Sequence, residues 1–177
     1  MDLITPARDY RKQIRVSVWS RRYKSCITRR QGVWPALWTL GTNIKEVGWP
    51  RCGEMDIMEL IGHMTSTTHA TVQYANTTGQ HIFNSKSTRI SSGKFSDEYH
   101  VFSMIWEKDS VIFIVDDRVI QSATPSSLGS TNPYPFNAPF FFIFNVAVGG
   151  NWPGSPDETT SFPQSMIVDY IRVFQEK

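Results

Sequence analysis

The order of apolar and polar positions marks most of this chain as β-strands. Ile14-Arg15-Val16-Ser17-Val18-Trp19 alternates residue by residue. Residues 33–40 form an apolar run in which Pro35 removes a ladder donor and predicts a bulge or local irregularity. Trp34 and Trp38 share a parity there, and the core is the expected place for Trp38. Residues 67–74 alternate again, placing His69, Thr71 and Gln73 on one face. Residues 99–107 and 110–116 predict a hairpin about Lys108-Asp109, with a short strand at 119–121 behind it. The face of Trp106 stays open. Residues 139–150 are the most apolar stretch, too short to span a bilayer, and predict a central strand buried on both faces. Residues 166–174 supply a closing strand. Gly, Asn and Pro mark 41–53 as a loop. Residues 75–98 read as loop with one short strand, and 122–138 as loop with room for one helical turn. Strand follows strand without a long helix or a repeat. The predicted class is all-β: one domain over 1–177, built as a two-sheet antiparallel sandwich.

One strand breaks the pattern informatively. Gly53-Glu54-Met55-Asp56-Ile57-Met58-Glu59-Leu60 sets three acids among large apolar residues. Strict alternation puts Glu54 and Asp56 on one face, Met55 and Ile57 on the other, and sends Glu59 into the core. One extra residue bulged near Met58 returns Glu59 to the face of the other two acids. Like charges so close cannot all stay ionised, so at least one carboxyl titrates high. A protonated carboxyl beside an ionised one is what glycosidic cleavage requires. A calcium site or a solvated acidic edge is the competing reading, but the intervening apolar residues do not resemble a calcium loop.

Composition and charge change this picture little. The chain has 177 residues, enough for one real core. No apolar run is long enough for a transmembrane helix, and no apolar segment follows a basic start as in a signal peptide. Cys26 and Cys52 permit at most one disulfide. The net charge of +2 hides an asymmetry: residues 1–30 hold nine of the eighteen basic residues and two of the sixteen acidic ones. No nucleic-acid motif accompanies that basic arm, so neither nucleic acid nor membrane is expected as a partner. His63, His69, His81 and His100 lack metal-ligand spacing and read as structural or surface residues. Asn76-Thr77-Thr78 matches a glycosylation sequon, a frequent chance match.

The acidic stretch resembles the Glu-x-Asp-x-x-Glu signature of family-16 glycoside hydrolases, in the bulged form of the laminarinase-like endo-β-1,3-glucanases. Residues 32–41 (Gly-Val-Trp-Pro-Ala-Leu-Trp-Thr-Leu-Gly), 47–53, 145–154 and 168–174 resemble further segments of that family. The likeness runs from about residue 31 to the end. It implies a concanavalin-like jelly roll with substrate across its concave face, and extracellular action. By that likeness Glu54 is the nucleophile, Asp56 the assisting acid and Glu59 the general acid and base of a retaining double displacement. The substrate is a β-1,3-glucan or mixed β-1,3-1,4-glucan. Trp34, Trp49, Gln73, Asn145 and Trp152 are the expected substrate contacts. Gln73 stands where many relatives carry His, and an amide cannot carry a proton. A binding protein of the same fold and a transglycosylase are the alternatives.

Asp169 matches a position that ligates structural calcium in many relatives, although the strands that supply the other ligands are altered or lacking here. No cofactor is required by the chemistry. Residues 9–30 do not resemble the family at the matching spacing, and read as strongly diverged or as the product of a reading-frame slip. The oligomeric state is open, with exposed strand edges favouring a dimer.

Overall fold

A computed structural model of the chain describes residues 12–19 and 31–175. Among the described residues, ten strands form two five-stranded sheets. They are β1 (Lys12–Trp19), β2 (Val33–Gly41), β3 (Glu54–Glu59), β4 (Thr67–Ala75) and β5 (His81–Arg89). Then come β6 (His100–Glu107), β7 (Ser110–Val115), β8 (Arg118–Ala123), β9 (Phe140–Val148) and β10 (Ile167–Gln175). One turn of helix, α1 (Ile44–Val47), lies between β2 and β3, and a 3-10 turn at Pro135–Asn137 precedes β9. One sheet runs β10-β1-β6-β7-β8 and the other β5-β4-β3-β2-β9, with every pairing antiparallel. The structure is the all-β sandwich that the alternation predicts.

Between the sheets lie Leu37, Met55, Ile57, Met58 and Val72 from one layer and Phe102, Met104, Trp106, Val111 and Phe113 from the other. Phe136 and Phe140 fill the end. Each such side chain contributes about 1.5–3 kcal/mol by leaving water. Trp106 falls on the inner face, and its indole N–H donates to the Phe136 carbonyl at 2.6 Å. A buried indole N–H without such a partner would cost more than the bond contributes.

Three expectations change. Residues 81–89 form a full nine-residue strand rather than a short one. It lies at the sheet edge with no fully buried residue and only Ile82 packed on the core, so it lacks an apolar signature. The run around Phe140 is not a central strand: among the described residues β9 pairs only with β2. Its inner residues Phe142 and Phe144 pack on the core, while the strand as a whole is only partly buried. Trp38, expected in the core, is half-buried on the opposite face beside Asp56. The readings of residues 9–11 and 20–30, and of Cys26, fall outside the described residues. Cys52 is fully buried.

The lead-in to β3 is held by backbone contact. The Gly41 N–H donates to the Gly53 carbonyl at 3.1 Å, and a Cβ on Gly41 would stand 2.1 Å from the Cys52 carbonyl oxygen. That atom is backbone and cannot swing aside. Gly41→Ala is expected to destabilise the protein by about 1–3 kcal/mol, as overpacking does. Urea unfolding measures it, and an unchanged midpoint would show that the segment before Glu54 yields freely.

Candidate active site

The three acids of β3 reach one face through a bulge. Trp38 pairs with Asp56 and Leu37 with Met58, so Ile57 has no partner on β2. Across β4, Asp56 faces Thr71 and Glu59 faces His69, leaving two residues of β3 opposite one of β4. Ile57 and Met58 therefore both enter the core, at 1% and 0% exposure, and Glu59 emerges beside Glu54 and Asp56.

Register also identifies the neighbours, because directly paired residues share a face. Glu54 lies between Leu40 and Gln73, Asp56 between Trp38 and Thr71, and Glu59 between Ala36 and His69. Beyond β4, Phe83 pairs with Gln73 and Ser85 with Thr71. Beyond β2, Asn145 pairs with Ala36.

The two glutamates are solvated differently by the protein. Glu54 accepts two close hydrogen bonds from N–H donors: Trp49 Nε1 to Oε2 at 2.8 Å and Gln73 Nε2 to Oε1 at 2.6 Å. Glu59 accepts two long ones, from Trp34 Nε1 at 3.2 Å and Thr71 Oγ1 at 3.3 Å. Asp56, only 2% exposed, accepts from Gln73 Nε2 at 2.8 Å. All three carboxyls titrate above their ordinary values. Burial is the main cause in each case. For Glu54, bonds from Trp49 and Asp56 pull back against burial. For Asp56, burial and the charges of Glu59 and Glu54 push in the same direction, holding the proton well above the usual carboxylate range. Burial and then the Glu54 charge push Glu59 up to about 7.

Aromatic rings stand at both ends of the acid row. Trp49, half-exposed, lies over the Glu54 end and packs against His81 at 4.5 Å between centroids. Trp152, also partly exposed, makes edge contacts with Trp34 at 5.3 Å and His69 at 4.8 Å at the Glu59 end. Asn145 faces the same side of the sheet, and its Oδ1 accepts from Trp38 Nε1 at 2.7 Å. Gln73 is spent on the acids: its NH2 serves Glu54 and Asp56, and its Oε1 meets His81 Nε2 at 3.0 Å.

The structure thus gathers Glu54, Asp56, Glu59, Trp34, Trp49, Gln73, Asn145 and Trp152 on one side of the β5-β4-β3-β2-β9 sheet. Asp169 is not among them. It is exposed on β10 in the other sheet, and no group of three or more His, Cys, Asp or Glu able to hold a metal occurs among the described residues. Thr71, His81 and Trp38 also join the site, and of these His81 had no signal in the sequence. Parity placed Thr71 on this face, and only its partner Glu59 gives it a role.

Comparison with known proteins finds relatives in one family. The family model described as glycosyl hydrolases family 16 matches residues 9–172. The chain is similar to glucan endo-1,3-beta-glucosidase A1 of Niallia circulans, 34% identical over 165 residues, covering 88% of this chain and 24% of that one. It is similar to the keratan-sulfate endo-1,4-beta-galactosidase of Sphingobacterium multivorum, 33% identical over 150 residues, covering 84% of this chain and 34% of that one. Among solved structures it resembles the catalytic domain of an endo-1,3-beta-glucanase (laminarinase) from Thermotoga petrophila, with a TM-score of 0.82 and 39% identity. That match covers 99% of this chain and 65% of the other. The chain therefore spans about a quarter to a third of those two curated relatives, and under two thirds of that solved domain.

Proposed function

This chain belongs to glycosyl hydrolase family 16, and we propose that it is an endo-acting β-glucan hydrolase that retains configuration by double displacement. The observation that carries the assignment of roles is the unequal hydrogen bonding of the two glutamates. Glu54, with two short N–H bonds, is the better stabilised as a carboxylate. Glu59, with two long bonds and a titration pushed up to about 7, holds its proton far above the ordinary carboxylate range. A nucleophile must be ionised and a general acid protonated, so the environments divide the work.

In the first step Glu54 attacks the anomeric carbon and the bond to the leaving oxygen breaks. Glu59 gives its proton to that oxygen, and Glu54 carries the glycosyl ester. Loss of the Glu54 charge removes one of the causes that hold the Glu59 titration high, but Glu59 is now ionised and ready. In the second step Glu59 takes a proton from water, the water oxygen bonds to the anomeric carbon, and the ester bond breaks. Asp56, protonated between its neighbours, donates to Glu54 and holds it in line. Trp49 and Trp152 offer ring faces to the apolar C–H faces of sugar units on either side of the cleft point.

The β-1,3-glucan preference is supported by the laminarinase likeness. A relative of similar identity is named for cleavage of a β-1,4-galactosidic bond, which supports a linkage preference set outside the acid row. Action outside the cell fits a polymer substrate that cannot enter one. Purified protein is expected to release reducing ends from laminarin in the interior of the polymer, with the β-anomer appearing first by proton NMR. A first-formed α-anomer would overturn retention. Binding without release of reducing ends would favour a glucan-binding role, as in the Penaeus monodon relative named beta-1,3-glucan-binding protein. Products longer than the starting oligosaccharide would identify a transglycosylase.

A further inference from the structure

We propose that His81 is a positioning residue: its Nε2–H holds the Gln73 amide in the orientation that turns the NH2 toward Glu54 and Asp56. The proposal rests on the reading of Glu54 as the nucleophile.

A glutamine amide can present either end to a site. Gln73 faces two carboxyl groups, 2.6 Å from Glu54 Oε1 and 2.8 Å from Asp56 Oδ2, and the nitrogen is the atom that meets both. A flip would put the carbonyl oxygen there, stacking acceptor on acceptor. The NH2-inward state needs a donor for the outward Oε1. His81 Nε2 is 3.0 Å from that oxygen. Since Oε1 only accepts, His81 Nε2 carries the hydrogen in this bond.

The His81 ring is itself fixed. It lies 4.5 Å from Trp49 and 5.9 Å from Phe83 between centroids. Trp49 donates to the other oxygen of Glu54. His81 therefore touches both N–H donors to the Glu54 carboxylate: Gln73 by a hydrogen bond and Trp49 by ring contact. The titratable groups that face Gln73 are Glu54, Asp56 and His81; Glu59 and His69 lie further along the same face.

The test reads Glu54 directly. Protein labelled with 13C at glutamate carboxyls is titrated without substrate, and the Glu54 signal is assigned by its loss in Glu54→Gln. His81→Phe keeps a ring against Trp49 and Phe83 but has no donor. Its Glu54 midpoint is expected to rise by about half a pH unit or more, as loss of a bond to the charged form predicts. Turnover on laminarin is expected to fall about threefold to tenfold with KM little changed. His81→Gln, which restores an N–H, is expected to return both toward wild type. An unmoved midpoint in His81→Phe, or a rise in KM alone, would overturn the proposal. So would a His81→Gln protein as shifted as His81→Phe. A wild-type protein inactive on laminarin would refute the glucanase reading instead, and the carboxyl titration would still decide the role of His81.

Discussion

Glu54→Gln is expected to lower turnover on laminarin by roughly 10⁴-fold or more, the scale of removing a covalent nucleophile. The substitution changes no volume, so the fold should survive, with unchanged circular dichroism. The hydrogen bonds around the new amide are disturbed. The Trp49 indole can still donate to the new amide oxygen, but Gln73 then meets an NH2 or must turn over. The substitution also reaches Glu59 without touching it. The Glu54 charge is the second cause, after burial, of the high Glu59 titration. Removing that charge should move Glu59 down from about 7 toward its ordinary 4.5. The carboxyl signal of Glu59 reads this in the inactive protein. A variant that keeps most of its activity would refute Glu54 as nucleophile. An inactive variant with an unmoved Glu59 would mean that the two carboxyls do not sense each other.

The acid row was legible because a β-strand has a rigid period. Glu59 falls out of phase with Glu54 and Asp56, and one extra residue repairs the phase; the structure puts that residue at Ile57 and Met58. Alternation likewise placed His69, Thr71 and Gln73 on the face they occupy. What alternation cannot read is an edge. The residues of β9 are apolar on both faces because one face meets the core and the other meets Trp38 and its neighbours. Neither fact says how many strands pair with it. β5 fails in the opposite sense. His81–Arg89 has no fully buried residue and only Ile82 reaches the core, so a genuine strand carries a loop's composition. His81 was hidden by that error, since its meaning depends on lying beside Gln73. Trp38 shows a third limit. A large aromatic reads as core by type, yet its N–H needs a partner, and Asn145 on the open face provides one. The family resemblance supplied the roles of Glu54 and Glu59. The hydrogen bonds supply a physical reason for the same division.

Glu59→Gln is expected to act in opposite directions on turnover and stability. Turnover on laminarin should fall by about 10²- to 10⁴-fold, the usual range for losing a general acid. Stability should rise, and only at high pH. Glu59 is 6% exposed and titrates near 7 when folded, against an ordinary 4.5. The folded state thus holds this proton more tightly than the unfolded chain does. Its stabilising effect is complete below about pH 4.5 and is lost as pH rises through about 7. A glutamine carries no such penalty. At pH 8 the variant should be more stable than wild type by on the order of 2–3 kcal/mol, a several-degree rise in Tm. At pH 4 the two proteins should melt together. Thermal melts at the two pH values measure the difference. Equal melting at both would mean that Glu59 ionises as easily as an exposed acid, and the argument for it as the proton donor at neutral pH would fail. The same burial that makes this carboxyl a burden on the fold is what lets it keep a proton to give.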